Sequence, residues 1–159
     1  MIIARFPLNG MPTSVLSVAG VGNFPAFSGQ KYGRNNVTMA SREQIGPIPP
    51  GRYFIVGRGS GGRLGAIRES MLKNFYGTDR STWFALYKQD WQIDDSVFVE
   101  GIKRGSFRLH PIGPRGLSEG CITLTSQSDF DYLSKALHKT TMMQVPCTSF
   151  KAYGTITVW

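Results

Sequence analysis

The stretch that decides the fold is Arg108-Leu109-His110-Pro111-Ile112-Gly113-Pro114-Arg115-Gly116-Leu117-Ser118-Glu119-Gly120-Cys121-Ile122-Thr123-Leu124. A histidine closes one apolar run, a Gly/Pro loop follows, and a cysteine opens the next run directly after a glycine. Two short strands joined by a loop that folds back can present a thiol to an imidazole. Nucleophile and base need side chains within ~2.6–3.2 Å of each other, which a continuous helix over this stretch could not deliver. The chain has two His and two Cys, and of their four pairings only His110 with Cys121 is joined by such a loop.

Outward from this point the chain reads as short strands and turns. Gly 19 and Pro 9 are spread through 159 residues, which favours a β-rich domain over a helix bundle. That length is one domain by the usual size prior, residues 1–159. Strands are expected at Thr13–Val18, Asn35–Ala40, Tyr53–Val56, Trp83–Tyr87, Ser96–Val99, Ser106–His110, Cys121–Leu124 and Lys151–Trp159. Gly20–Gly33 reads as a long loop, Pro50-Gly51 as a tight turn, and Met142–Cys147 as an apolar connection. Two short helices are expected. Leu64, Ile67, Met71 and Phe75 recur at helical steps and stop at Gly77. Phe130, Leu133 and Leu137 give a second apolar face running to about His138, with Ser126 and Asp129 in capping-box-like spacing.

The formal net charge of +8 suits an anionic partner. The basic residues come singly or in pairs, with no basic arm and no aromatic-plus-basic RNA signature, so nucleic acid is not the expected partner. The N-terminus lacks a charged region followed by an apolar core, so it does not read as a secretory signal. No apolar run approaches the ~20 residues needed to cross a bilayer. The expected protein is made in the cytoplasm and does not insert in membranes. Two cysteines without clustered spacing do not make a zinc site, and no metal or cofactor is expected.

Chemistry gives the central stretch two readings. In one, Cys121 is a nucleophile and His110 the base that deprotonates it, since a thiol of ordinary pKa near ~8.5 is little ionised at neutral pH. Gly120 then allows close substrate approach, the N–H groups of Gly120 and Cys121 form an oxyanion hole, Ser118 supports the loop, and Arg108 and Arg115 receive a substrate carboxylate. In the other, Cys121 starts a buried strand as a small hydrophobe and His110 is a loop histidine. A Cys121–Cys147 disulfide would exclude the first reading. Asp94-Asp95 reads as a surface turn, and His138 as a helix-end residue complementing the dipole.

The pattern His110-x-x-Gly113, then Ser118-x-Gly120-Cys121-Ile122-Thr123-Leu124, resembles the active-site signature of the L,D-transpeptidase (YkuD-like) family. Gly46-Pro47-Ile48-Pro49-Pro50-Gly51-Arg52-Tyr53-Phe54-Ile55 resembles that family's upstream Thr-Pro-x-Gly-x-Phe/Tyr-x-Ile strand. Glu119 stands where the signature has histidine, Thr123 where it has Asn or Arg, and the spacer is short. In these respects the chain is most similar to the L,D-transpeptidase-like effectors of bacterial type VI secretion. The resemblance implies a mostly β (α+β) fold, a single L,D-transpeptidase-like mixed β-sandwich with two short helices. It implies attack by Cys121 on peptidoglycan tetrapeptide stems, with removal of terminal D-Ala or its exchange for another D-amino acid. His110 would be held by a backbone carbonyl rather than an Asp. The implied partners are the secretion machinery and a cognate immunity protein, and the implied place of action is the target-cell periplasm. A housekeeping transpeptidase making 3→3 cross-links and a non-catalytic wall-binding domain are the alternatives.

Overall fold

Alternation of apolar and polar side chains makes Ile2–Phe6 the first strand, β1, with Ile2, Ala4 and Phe6 inward and Ile3 and Arg5 outward. The structure, a computed structural model, describes residues 1–57 and 82–159. After β1 come β2 (Ser14–Val18), β3 (Gly22–Phe27), β4 (Gly51–Gly57), β5 (Phe84–Lys88), β6 (Ser96–Val99) and β7 (Ile102–Gly105). They are followed by β8 (Arg108–Pro111), β9 (Ile122–Leu124), helix α1 (Gln127–Lys139), β10 (Met143–Gln144) and β11 (Lys151–Val158). Lys31–Gly33 and Val37–Met39 are single 3-10 turns.

The main sheet runs β1-β2-β3-β9-β8-β5-β4-β11-β10. β1 also pairs in parallel with β11, from Ile2↔Gly154 to Phe6↔Val158, so the sheet closes on itself like a barrel. β6 and β7 form a separate antiparallel hairpin. The fold is therefore mostly β and mixed in strand direction, as expected. Its pairing describes one closed sheet where two packed layers were expected. Inside it Phe6, Leu16, Tyr53, Ile55, Phe84, Leu86, Leu109, Ile122 and Ile156 form a continuous apolar core.

Helix α1 lays Phe130, Leu133 and Leu137 on this core beside β8, β9 and β11. Ser126 caps it, its hydroxyl accepting from the Asp129 N–H at 3.3 Å. The other expected helix, over Leu64–Phe75, lies outside the described residues. No described helix is long and apolar enough to cross a membrane.

Two expectations for the N-terminal third are corrected. Gly22–Phe27, read as loop, is β3. Pro25 is tolerated because its carbonyl, rather than the N–H it lacks, accepts from Thr125 N–H at 3.0 Å. Asn35–Ala40, read as a strand, is a turn. Asn35 sits at φ +51° with its side chain bonded to the Ser28 N–H and the Met11 carbonyl. The Asn36 side chain accepts from the Thr38 N–H and hydroxyl. These amides compete with any ladder the backbone would otherwise join.

Candidate active site

β8 and β9 are parallel neighbours in the register Leu109↔Ile122, His110↔Thr123 and Pro111↔Leu124. Side chains alternate along a strand, so Leu109, Ile122 and Leu124 share the inward face, all 1% exposed or less. His110 and Thr123 share the other face. Arg108, two residues before His110 on β8, falls on that face too, and Cys121 directly precedes β9. The loop between the strands thus returns the chain to Cys121, one residue ahead of β9 and next to the strand that carries His110.

The imidazole is held in a definite state. His110 Nδ1 lies 2.7 Å from the Pro111 carbonyl, which can only accept, so Nδ1 carries the proton and Nε2 is the basic nitrogen of the neutral ring. The expected backbone-carbonyl orienter is therefore present, one residue on. Nε2 lies 3.3 Å from Thr123 Oγ1, whose hydroxyl donates to it. Trp83 stacks on the ring, with centroids 4.1 Å apart and planes 16° from parallel.

Around Cys121 the backbone is fixed from behind by two buried serines. Ser118 Oγ donates to the Cys121 carbonyl at 2.8 Å and accepts from the Gly29 N–H at 3.2 Å. Ser28 Oγ donates to the Gly120 carbonyl at 3.2 Å and accepts from the Ile48 N–H at 2.8 Å. The Gly120–Cys121 peptide bond is trans, so a carbonyl turned toward Ser28 turns the Cys121 N–H the opposite way. Gly120 has φ +116°, and a Cβ there would lie 2.6 Å from Arg104 Nη2 and 2.8 Å from Phe107 Cε1. Only glycine fits. The half-buried Cys121 Sγ is 3.8 Å from the Ser106 carbonyl. Both cysteines are free, so the Cys121–Cys147 disulfide is not formed.

The two expected carboxylate-binding arginines differ in setting. Arg108 forks onto Asp95 through two 2.6 Å hydrogen bonds. Burial lowers its pKa, but the Asp95 bond and charge, with Cys121 and Tyr87, outweigh that and raise it. Arg115 is exposed on the loop. Asp94 closes its own turn by accepting from the Ser96 N–H and hydroxyl, so the acidic pair is split between two structural tasks. An open cleft of about 520 Å³ runs along Asp94, Asp95, Lys103, Arg104 and Ser106, the residue whose carbonyl is 3.8 Å from Cys121 Sγ.

Sequence reasoning missed Trp83, Thr123, Ser28 and Arg104. Arg104, on β7, is 5% exposed and donates to the carbonyls of Ala40, Gly46, Pro47 and Glu119. It thereby ties the loop before β4 to the loop carrying Cys121.

A thiol directly ahead of one strand and an oriented imidazole on its parallel neighbour are the groups that cysteine-nucleophile chemistry would use. The family profile of the Tlde1 domain matches residues 22–148, and the chain belongs to that family, the type VI secretion effector domains that act on peptidoglycan. No curated protein and no solved structure matches the chain significantly.

Proposed function

We propose that the protein is a cysteine L,D-carboxypeptidase and L,D-transpeptidase of peptidoglycan tetrapeptide stems, delivered into a rival's periplasm. The observation that carries this is a thiol directly ahead of β9, the parallel neighbour of β8, whose His110 imidazole has Nδ1 on the Pro111 carbonyl. Family membership supplies the polymer, and the residues supply the chemistry.

In the reaction, His110 Nε2 takes the Cys121 proton and the thiolate attacks the carbonyl carbon of the third stem residue, meso-diaminopimelate. The Gly120 and Cys121 N–H groups receive the developing oxyanion. Collapse breaks the C–N bond to D-Ala, whose amine takes the proton from the imidazolium, leaving a thioester on Sγ. Water, activated by Nε2, then attacks the thioester, and the C–S bond breaks to release the tripeptide and restore the thiolate. A free D-amino acid amine in place of water gives the exchanged tetrapeptide. Either product removes a substrate for cross-linking. Thr123 holds the basic nitrogen in line between steps, and Ser118 and Ser28 hold the nucleophile's backbone. Arg115 is exposed on the loop and suits a substrate carboxylate. Arg108 would serve the same purpose only by exchanging Asp95 for the substrate.

Incubating the protein with disaccharide-tetrapeptide, with and without D-Met, and reading products by mass spectrometry tests this. Loss of D-Ala, or its replacement by D-Met, is expected from the wild type and not from Cys121→Ala. A folded, reduced wild-type protein that leaves the substrate intact, or equal turnover by Cys121→Ala, would refute the proposal.

A further inference from the structure

Arg104 is a buried cation whose bonding partners among the described residues are all backbone carbonyls. A charge taken out of water without a counter-ion is costly. Tying loops together does not require it, because neutral amide donors can bond carbonyls at lower desolvation cost. Arg108 differs, being neutralised by its two-bond fork with Asp95. Arg104 bonds no carboxylate among the described residues, and Glu43 acts on it only through charge, so positive potential remains in the interior.

Its position says where that potential acts. Nη2 bonds the Glu119 carbonyl at 3.1 Å and lies 2.6 Å from where a Gly120 Cβ would stand, against the residue before the nucleophile. Cys121 Sγ in turn lies 3.8 Å from the Ser106 carbonyl, two residues beyond Arg104 on the same turn. Arg104 and Ser106 line one cleft. The charged and titratable groups around the thiol are Arg104 from β7, Arg108 and His110 from β8, Asp94, Asp95 and Lys103 along the cleft, and Glu119 on the loop. The Ser106 carbonyl favours the protonated thiol, so ionisation needs a cation that outweighs it.

We propose that Arg104 is the fixed counter-cation of the Cys121 thiolate, a positioning residue that holds the thiolate ready independently of the imidazole. This rests on reading Cys121 as the nucleophile. On the arginine's side, burial lowers its pKa, while Tyr53, Glu43 and Cys121 oppose that. A guanidinium is not deprotonated at neutral pH, so its field is constant where an imidazole's is not. The proton that Cys121 gives to His110 Nε2 is then left for the leaving amine, and the thiolate persists in the free enzyme.

The test is the pH dependence of iodoacetamide alkylation, read separately on the Cys121 and Cys147 peptides by mass spectrometry. In the wild type Cys121 is expected to ionise well below the ordinary ~8.5. Arg104→Gln should raise its midpoint by about one pH unit or more, Arg104→Lys should keep most of the depression, and Asp95→Asn should lower the midpoint further by unmasking Arg108. The exposed Cys147 should not respond. His110→Gln keeps the question decidable even if Arg104→Gln does not fold. A Cys121 midpoint still below ~8.5 without the imidazole supports the proposal, and a return to ~8.5 overturns it. An unshifted midpoint in folded Arg104→Gln overturns it as well. Alkylation needs no turnover, so absent D-Ala release would count against the proposed reaction and leave this result standing.

Discussion

At His110 two neighbours divide the ring's work: the Pro111 carbonyl fixes the Nδ1 proton, and the Thr123 hydroxyl addresses Nε2. Thr123→Val keeps the shape and removes that hydroxyl. A net hydrogen bond of about 0.5–1.5 kcal/mol predicts a roughly threefold to tenfold fall in kcat/KM with the fold intact. Steady-state D-Ala release and a thermal melt read both. Gly120 is a stricter case. Gly120→Ala brings a Cβ against Arg104 and Phe107 at φ +116°, so stability should fall by more than ~2 kcal/mol and Cys121 alkylation should slow. Unchanged denaturation of that variant would contradict the geometry. At this scale the sequence was legible where chemistry is rare. With only two His and two Cys, a loop joining one of each stands out. Trp83 and Thr123 were not legible, because each gains its role only from register. Trp83 faces His110 because Phe84 pairs with Leu109, and Thr123 meets it because β8 and β9 run parallel.

Among the elements, β4, β6, β9, α1 and β11 could be read because each carries a clear signal. Those signals are a Pro-Gly turn, an apolar run, a capped 3.6-residue period, or alternation. β3 was hidden by its Gly and Pro, and β1 and β7 were not anticipated. β7 is Ile-Lys-Arg-Gly, and its one buried side chain is a charged arginine rather than an apolar residue. Nothing local marks such a strand. The loops between elements carry the site's precision. Ser28→Ala leaves the Gly120 carbonyl and the Ile48 N–H without their side-chain partner. Losing these buried bonds should cost about 1–3 kcal/mol in urea denaturation and lower turnover. Cysteine-to-serine exchange at the distant, exposed Cys147 should alter neither.

Over the whole molecule, strands from both ends of the chain complete one sheet, so β8 with His110 and the loop that carries Cys121 stand on a closed frame. That frame encloses Tyr53, whose hydroxyl donates to the Pro49 carbonyl at 2.7 Å. Burial pushes its pKa well above the ordinary value, with Arg104 pulling down and Asp90 adding to the rise. A folded pKa above the unfolded one gives stability that is fully present below pH ~10 and lost as pH climbs beyond it, because only the unfolded chain releases the proton. Tyr53→Phe should lose about 1 kcal/mol at neutral pH for want of the bond. It should also show a smaller stability drop between about pH 8 and 11. Urea titrations at the two pH values measure that difference.

The central claim is that Cys121 becomes acylated by a peptidoglycan stem. The most direct measurement is to quench the protein during turnover of disaccharide-tetrapeptide and map the adduct by peptide mass spectrometry. The account predicts a hydroxylamine-labile disaccharide-tripeptide acyl group on the Cys121 peptide, absent from Cys121→Ala. Release of D-Ala by the Cys121→Ala protein, or an acyl group mapped to any other residue, would contradict it.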